Sequence, residues 1–454
     1  MLPLNDNWGQ VWQNRDSHLG FRINSGQEFL LENLTIPYRF VKISYFNRNP
    51  FHISNENSSQ SWSEEGAQLQ LIVPFFWKHN RFFFKADVME SQSDIHFNSV
   101  KKESYFHLAD NLNYNSFALA HRWEKLRVRW AAQFRVVHFG GKGLVEPTWA
   151  LEWGEESTTK FLIELGKHNL HNTISWKLQD DSLNTGFYDS YESAKLALKF
   201  GDHRGINITL FLLDEYHNPP AFTPPTKMQI HFNGVKRMIG LEVSRTSERK
   251  LNGSIGLISS GLDGDILLEK DANKIGEIPN LIFAQNTLYA ELSYFILRGW
   301  RIVLGNSWSI CESASDVGNI SASLPDAFTD VIGGERLFIY DVKGTSNITR
   351  LSSTYRRKFI TIGNELGYAD ITPDFLLQDA ARNSQVIRKT EWGLERFGLL
   401  WGTLDLRTSF LGWQFGMNYS KQFPVWKRYK HSSPVGESTF KKGDLLTFSL
   451  SHKF

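Results

Sequence analysis

The chain has 454 residues and a formal net charge of +2, from 50 Lys and Arg against 48 Asp and Glu; its basic residues form no run of five, so it offers no electrostatic footprint for nucleic acid. A single cysteine, Cys311, excludes an intramolecular disulfide framework and a zinc centre of several thiolates. The anomaly is aromatic: 34 Phe, 15 Trp and 14 Tyr sit in a chain of mean hydropathy −0.34, so rings are used without long apolar runs.

The opening "MLPLNDNWGQ" has neither a basic n-region nor an apolar h-region, which leaves a cytoplasmic protein or a mature chain whose leader was removed. Residues 1–32 read as a polar extension, a small plug or an extra strand, and 33–454 as one continuous architecture, because no Pro/Ser-rich linker or composition shift marks a boundary. The longest apolar stretch, Leu69 to Trp77, is about half of the roughly 18–20 residues that a membrane helix needs. Period-two alternation is the dominant signal from there on. Leu126, Val128, Trp130, Ala132 and Phe134 alternate with Arg127, Arg129, Ala131, Gln133 and Arg135; Leu411 to Tyr419 behaves the same way, as do Phe82–Val88, Ile206–Leu212, Ile239–Val243, Leu288–Ile296 and Leu400–Leu406. These are strands with one apolar and one polar face.

Short connections predict tight hairpins at Lys78–Asn80, Glu124–Lys125, Gly201–Gly205, Asn233–Gly234 and Arg298–Gly299. Between them lie polar stretches, read as long loops, over 48–66, 90–115, 179–193, 262–287, 308–346, 370–385 and 422–443. Strands of about ten residues with short turns at one end and long loops at the other predict an all-β, closed antiparallel transmembrane barrel of about 18 strands, with 16 to 20 allowed. Trp77, Trp123 and Trp300 abut turns, where an interfacial girdle places indoles.

The last ten residues, "LLTFSLSHKF", carry Leu446, Phe448, Leu450, His452 and Phe454 on one face and small or polar residues, with Lys453, on the other. This segment resembles the closing strand of Gram-negative outer-membrane β-barrel proteins, whose final residue is typically Phe; His452 departs from the family's preference for an aromatic there. The resemblance implies a bacterial outer-membrane location with the export signal already removed, outer-membrane lipid and lipopolysaccharide as surroundings, and a terminal strand read by the barrel-assembly machinery. Closure pairs the last strand with the first and leaves no backbone edge in lipid.

Chemistry inside such a barrel falls to the polar face. The candidate pore-lining residues are Arg81, Lys85, Arg127, Arg129, Arg135, Glu291, Arg301, Asp405 and Arg407, beside Lys42, Asp87, Glu152, Lys160, Glu164, Lys199, Glu391, Glu395 and Lys453. Arg127, Arg129 and Arg135 on one face form a ladder that attracts anions, or else pairs with neighbouring carboxylates and stiffens the wall. No catalytic, cofactor or metal site is assigned: the sequence has no G-x-S-x-G elbow, H-E-x-x-H or P-loop, and "DGDILLEKD" at Asp263–Asp271 lacks the spacing of a defined calcium loop. The expected function is a channel for a polar solute rather than an enzyme. The alternatives are a non-transporting barrel whose loops bind a partner protein in a secretion or surface-structure assembly, and a soluble all-β carbohydrate binder. Within 308–346, six acidic residues against two basic ones suggest a loop folded inward toward the arginines.

Overall fold

The computed structural model describes residues 30, 39–54, 58–99, 104–125, 127–139, 142–154, 159–178, 181–201, 205–218, 228–245, 251–270, 273–314, 319–320, 337–379, 386–387, 394–429, 439–441 and 443–453. Among these, twenty-one strands join one sheet. Three are two- or three-residue pieces, Asn319–Ile320, Val386–Ile387 and Thr439–Lys441. The other eighteen form the barrel: β1 (Phe40–Ser54), β2 (Ser58–Trp77), β3 (Asn80–Ser99), β4 (Ser104–Lys125), β5 (Val128–Phe139), β6 (Lys142–Gly154), β7 (Thr159–Leu178), β8 (Asp181–Gly201), β9 (Ile206–Asn218), β10 (Met228–Arg245), β11 (Leu251–Lys270), β12 (Asn273–Leu297), β13 (Trp300–Ala314), β14 (Leu337–Arg357), β15 (Ile360–Asp379), β16 (Leu394–Phe410), β17 (Trp413–Tyr429) and β18 (Gly443–Lys453).

Each strand pairs antiparallel with its sequence neighbours, and β18 returns to β1 in register from Phe40–Lys453 to Asn49–Asp444. The sheet is therefore closed and has no lateral edge to satisfy in lipid. The alternate faces separate cleanly on β9, where exposed Ile206, Ile208 and Leu210 interleave with buried Asn207, Thr209 and Phe211. Carried round the ladder, one parity bears exposed Leu119, Phe134, Leu241, Ile255, Leu288, Leu304, Leu351, Phe415 and Leu450, which form the outer belt. The opposite parity bears most of the polar residues and faces the lumen. Exposed Trp77, Phe359, Phe410, Leu411 and Trp413 crowd the end with the short turns, as an interfacial girdle does. No helix among the described residues is long and apolar enough to cross a membrane.

Most of the polar stretches expected as long loops are strand. Residues 48–54 and 58–66 continue β1 and β2, 90–99 and 104–115 continue β3 and β4, 181–193 belong to β8, and 273–287 to β12. Polar residues occupy both alternate positions along most of these extensions, so no two-faced alternation marks them in the sequence. The Asn233–Gly234 hairpin is also corrected, since both residues lie inside β10. Gly234 is needed there for close approach, because a Cβ on it would stand 2.3 Å from the Asp263 carbonyl oxygen of β11. The turn expected at Glu124–Lys125 falls two residues later: both residues end β4, and Arg127 lies in the turn.

The two rims differ. Beyond the short β5–β6 hairpin, β4 and β7 pair directly through Phe106–Asn111 and Thr173–Leu178. Beyond the end of β9, β8 and β10 pair in parallel through Thr185–Tyr188 and Met228–His231. The rim away from the short turns thus has fewer strands on this side and is narrower, since barrel width scales with strand number.

Candidate functional site: the lumen wall

The lumen wall is a lattice of carboxylates, most of them paired to a cation on an adjacent strand. Arg135 lies opposite Glu146 in the β5–β6 register and its Nε donates to Glu146 Oε2 at 2.5 Å, while Asn169 donates its backbone N–H to Glu146 Oε1 at 2.6 Å. Glu152 accepts Arg129 at 3.0 Å and Lys160 at 2.7 Å, and Arg129 also reaches Glu124 at 3.2 Å. Lys195 binds Glu164 at 3.0 Å and Lys236 binds Glu215 at 2.9 Å. Tyr289 donates its hydroxyl to Glu242 at 2.5 Å. Glu291 accepts Arg350 at 2.8 Å and lies 3.7 Å from Arg301. Asp405 pairs with Arg407 at 2.9 Å. Directly opposed or diagonal positions on one face of antiparallel strands bring such groups within reach, and pairing recovers much of the cost of holding ions beside a low-dielectric wall.

Of the candidate residues, Arg129, Arg135, Glu291, Arg301, Asp405 and Arg407 occupy inward strand positions in this lattice. Arg81 and Lys85 share that parity on β3, and the Arg81 guanidinium sits over the Phe76 ring at 5.9 Å. Arg127 departs from the ladder, being exposed in the β4–β5 turn. Glu395 falls at the register irregularity between Leu394 and Arg396, and Glu391 lies outside the described residues. Of the acidic stretch over 308–346, residues 308–314, 319–320 and 337–346 are strand, and the rest lies outside the described residues. In β18, Leu446, Phe448, Leu450 and His452 share the outward parity, and His452 packs on Trp413 with ring centroids 4.4 Å apart; Phe454 is not among the described residues. No group of three metal-ligating side chains occurs among the described residues; Asp265 accepts the backbone N–H of Asn280 and Glu269 faces His231.

Two features escape alternation arguments. A file of rings, His168, Tyr191, His217 and Phe232, crosses β7 to β10 at centroid spacings of 4.9, 5.0 and 5.1 Å. Nearer the short turns, the inward face becomes apolar, with Phe83, Ala120, Ala131, Ala150, Leu162, Phe211, Leu213 and Met238 all buried and Leu30 among them. A signal for this patch existed: Phe82–Phe84 and Leu210–Leu213 are apolar on both faces, the pattern of a strand covered on both sides.

A closed barrel with an apolar outer belt, a ring girdle at one end and a charged interior defines a transmembrane β-barrel of the outer-membrane type. No family model and no curated protein matches the chain. Solved structures that resemble it include a bacterial polysaccharide outer membrane secretin, at 6% identity and a TM-score of 0.38 over 92% of this chain and 98% of that one. OccK7 (OpdD) of Pseudomonas aeruginosa is similar at 11% identity and a TM-score of 0.40, over 92% and 99% of the two chains. OprD of the same organism is similar at 8% and 0.36, over 91% and 95%. These likenesses are distant, and the reading of the lumen rests on its own residues.

Proposed function

We propose that the chain is an outer-membrane channel for small polar solutes, working as a passive conduit rather than an enzyme. The observation that supports this reading is the self-compensated ionic lattice on the inward face. A wall that presents both signs at close spacing solvates polar solutes without trapping ions of one sign. Arg129 and Arg135 are each held by carboxylates, so they contribute to a mixed field rather than an anion-selective one. In planar bilayers the purified protein should give discrete conductance steps with weak ion preference, and liposomes containing it should swell in small sugars. Absence of both steps and swelling from correctly folded protein overturns the channel reading.

The second reading, a non-transporting barrel that serves a secretion or surface-structure assembly, draws support from Leu30 lying inside the wall patch. Under that reading, neither assay responds and the rim binds a partner protein.

A further inference from the structure

We infer that the apolar patch on the inner wall is a docking seat for the chain's own amino-terminal segment, entered at Leu30, and that this contact obstructs part of the lumen. Three observations carry it. The patch is anomalous where it stands: an inward wall that meets water has no reason to display Phe83, Leu162, Phe211, Leu213 and Met238 together, yet Phe83 is 1% exposed and Leu213 not exposed at all. Neighbouring strands cover the sides of such large apolar side chains, and a segment packed over the wall removes what exposure remains. The cover is identified in part, because Leu30 belongs to no barrel strand, is itself 5% exposed, and packs in that cluster.

Finally, the contact is directional. Glu164 turns one carboxylate oxygen to Lys195 at 3.0 Å and accepts the backbone N–H of Leu30 on the other at 2.5 Å. That polar clamp beside an apolar socket fixes where the segment sits along the wall. The wall begins at Phe40, whose register partner Ile72 packs against the same cluster, so the chain passes from the seat into β1 within ten residues. The narrowed rim lies over strands of this same side, β4 to β10.

The seat is testable without assuming transport; only its consequence for flux rests on the channel reading. In a Cys311→Ser background, Leu213→Cys reports the seat and Thr361→Cys, inward on β15, reports the opposite wall. Each is labelled with a membrane-impermeant maleimide in folded, detergent-solubilised protein, in the full chain, with Leu30→Asp, and with residues 1–38 deleted. The expected result is protection of Leu213→Cys in the full chain and labelling at least tenfold faster in both altered forms, with Thr361→Cys unchanged. Equal labelling of Leu213→Cys in all folded forms overturns the proposal, and either altered form suffices if the other does not fold. Conductance recorded on the same forms should rise on deletion. Release of protection without conductance in any form supports the seat and removes the channel reading instead.

Discussion

Glu146 illustrates how single residues make a charged interior stable. Its carboxylate is 1% exposed, yet Arg135 and the Asn169 amide both donate to it, so its buried charge is matched on both oxygens. Truncation to Ala leaves a guanidinium and a buried N–H without that acceptor. Fully buried pairs cost about 3–5 kcal/mol when one partner is removed. Arg135 retains some exposure and can be rehydrated, so Glu146→Ala should destabilise by about 1–3 kcal/mol. Glu146→Gln, which keeps an acceptor, should cost less. Urea midpoints followed by tryptophan fluorescence in micelles separate the two, and equal midpoints for Ala, Gln and wild type would show the pair to be energetically idle.

At the scale of the strand, face matters more than residue type. Leu241 and Phe415 point outward at 42% and 44% exposure, whereas Gln414 points to the lumen. Arg at Leu241 must be desolvated in hydrocarbon, for about 2–4 kcal/mol near the midplane. Gln414→Arg should change unfolding free energy by a few tenths. A larger loss at Gln414 than at Leu241 would reverse the assignment of faces. Parity was legible in the sequence because lipid and water impose opposite demands on neighbouring residues, as on β5 and β17. The strand extensions at 48–54, 58–66, 90–99 and 104–115 were illegible because polar residues fill both alternate positions there, so the sequence carries no two-faced pattern. At Asn233–Gly234 a turn-forming dipeptide is overruled by close packing against Gly264, which local sequence does not encode. The ionic lattice was half legible, since parity supplies the inward list but the partners depend on cross-strand register, as with Glu291 and Arg350, 59 residues apart. The apolar seat was legible only as short runs apolar on both faces, Phe82–Phe84 and Leu210–Leu213, which mark a covered wall without saying what covers it.

At the scale of the molecule, closure is all or none. Opening the β1–β18 seam would expose two ladders of unpaired N–H and C=O groups to lipid, each group costing several kcal/mol, more than local packing can offset. Ser449 sits mid-seam, opposite Ser44 of β1 on one side and Gly416 of β17 on the other. Ser449→Pro removes a ladder N–H and should abolish the compact, heat-resistant form on unheated gels, whether the protein is refolded in vitro or made in cells. A normal yield of that form would mean that the barrel closes elsewhere. Phe454 lies outside the described residues, and its replacement separates recognition of the terminal strand from closure of the seam. If the terminal strand is read by an assembly machinery, Phe454→Asp should refold in detergent with wild-type yield and still accumulate several-fold less in the outer membrane. Normal accumulation in cells would leave that strand a closing element only, and a defect in both settings would place Phe454 in the folding energetics of the barrel itself.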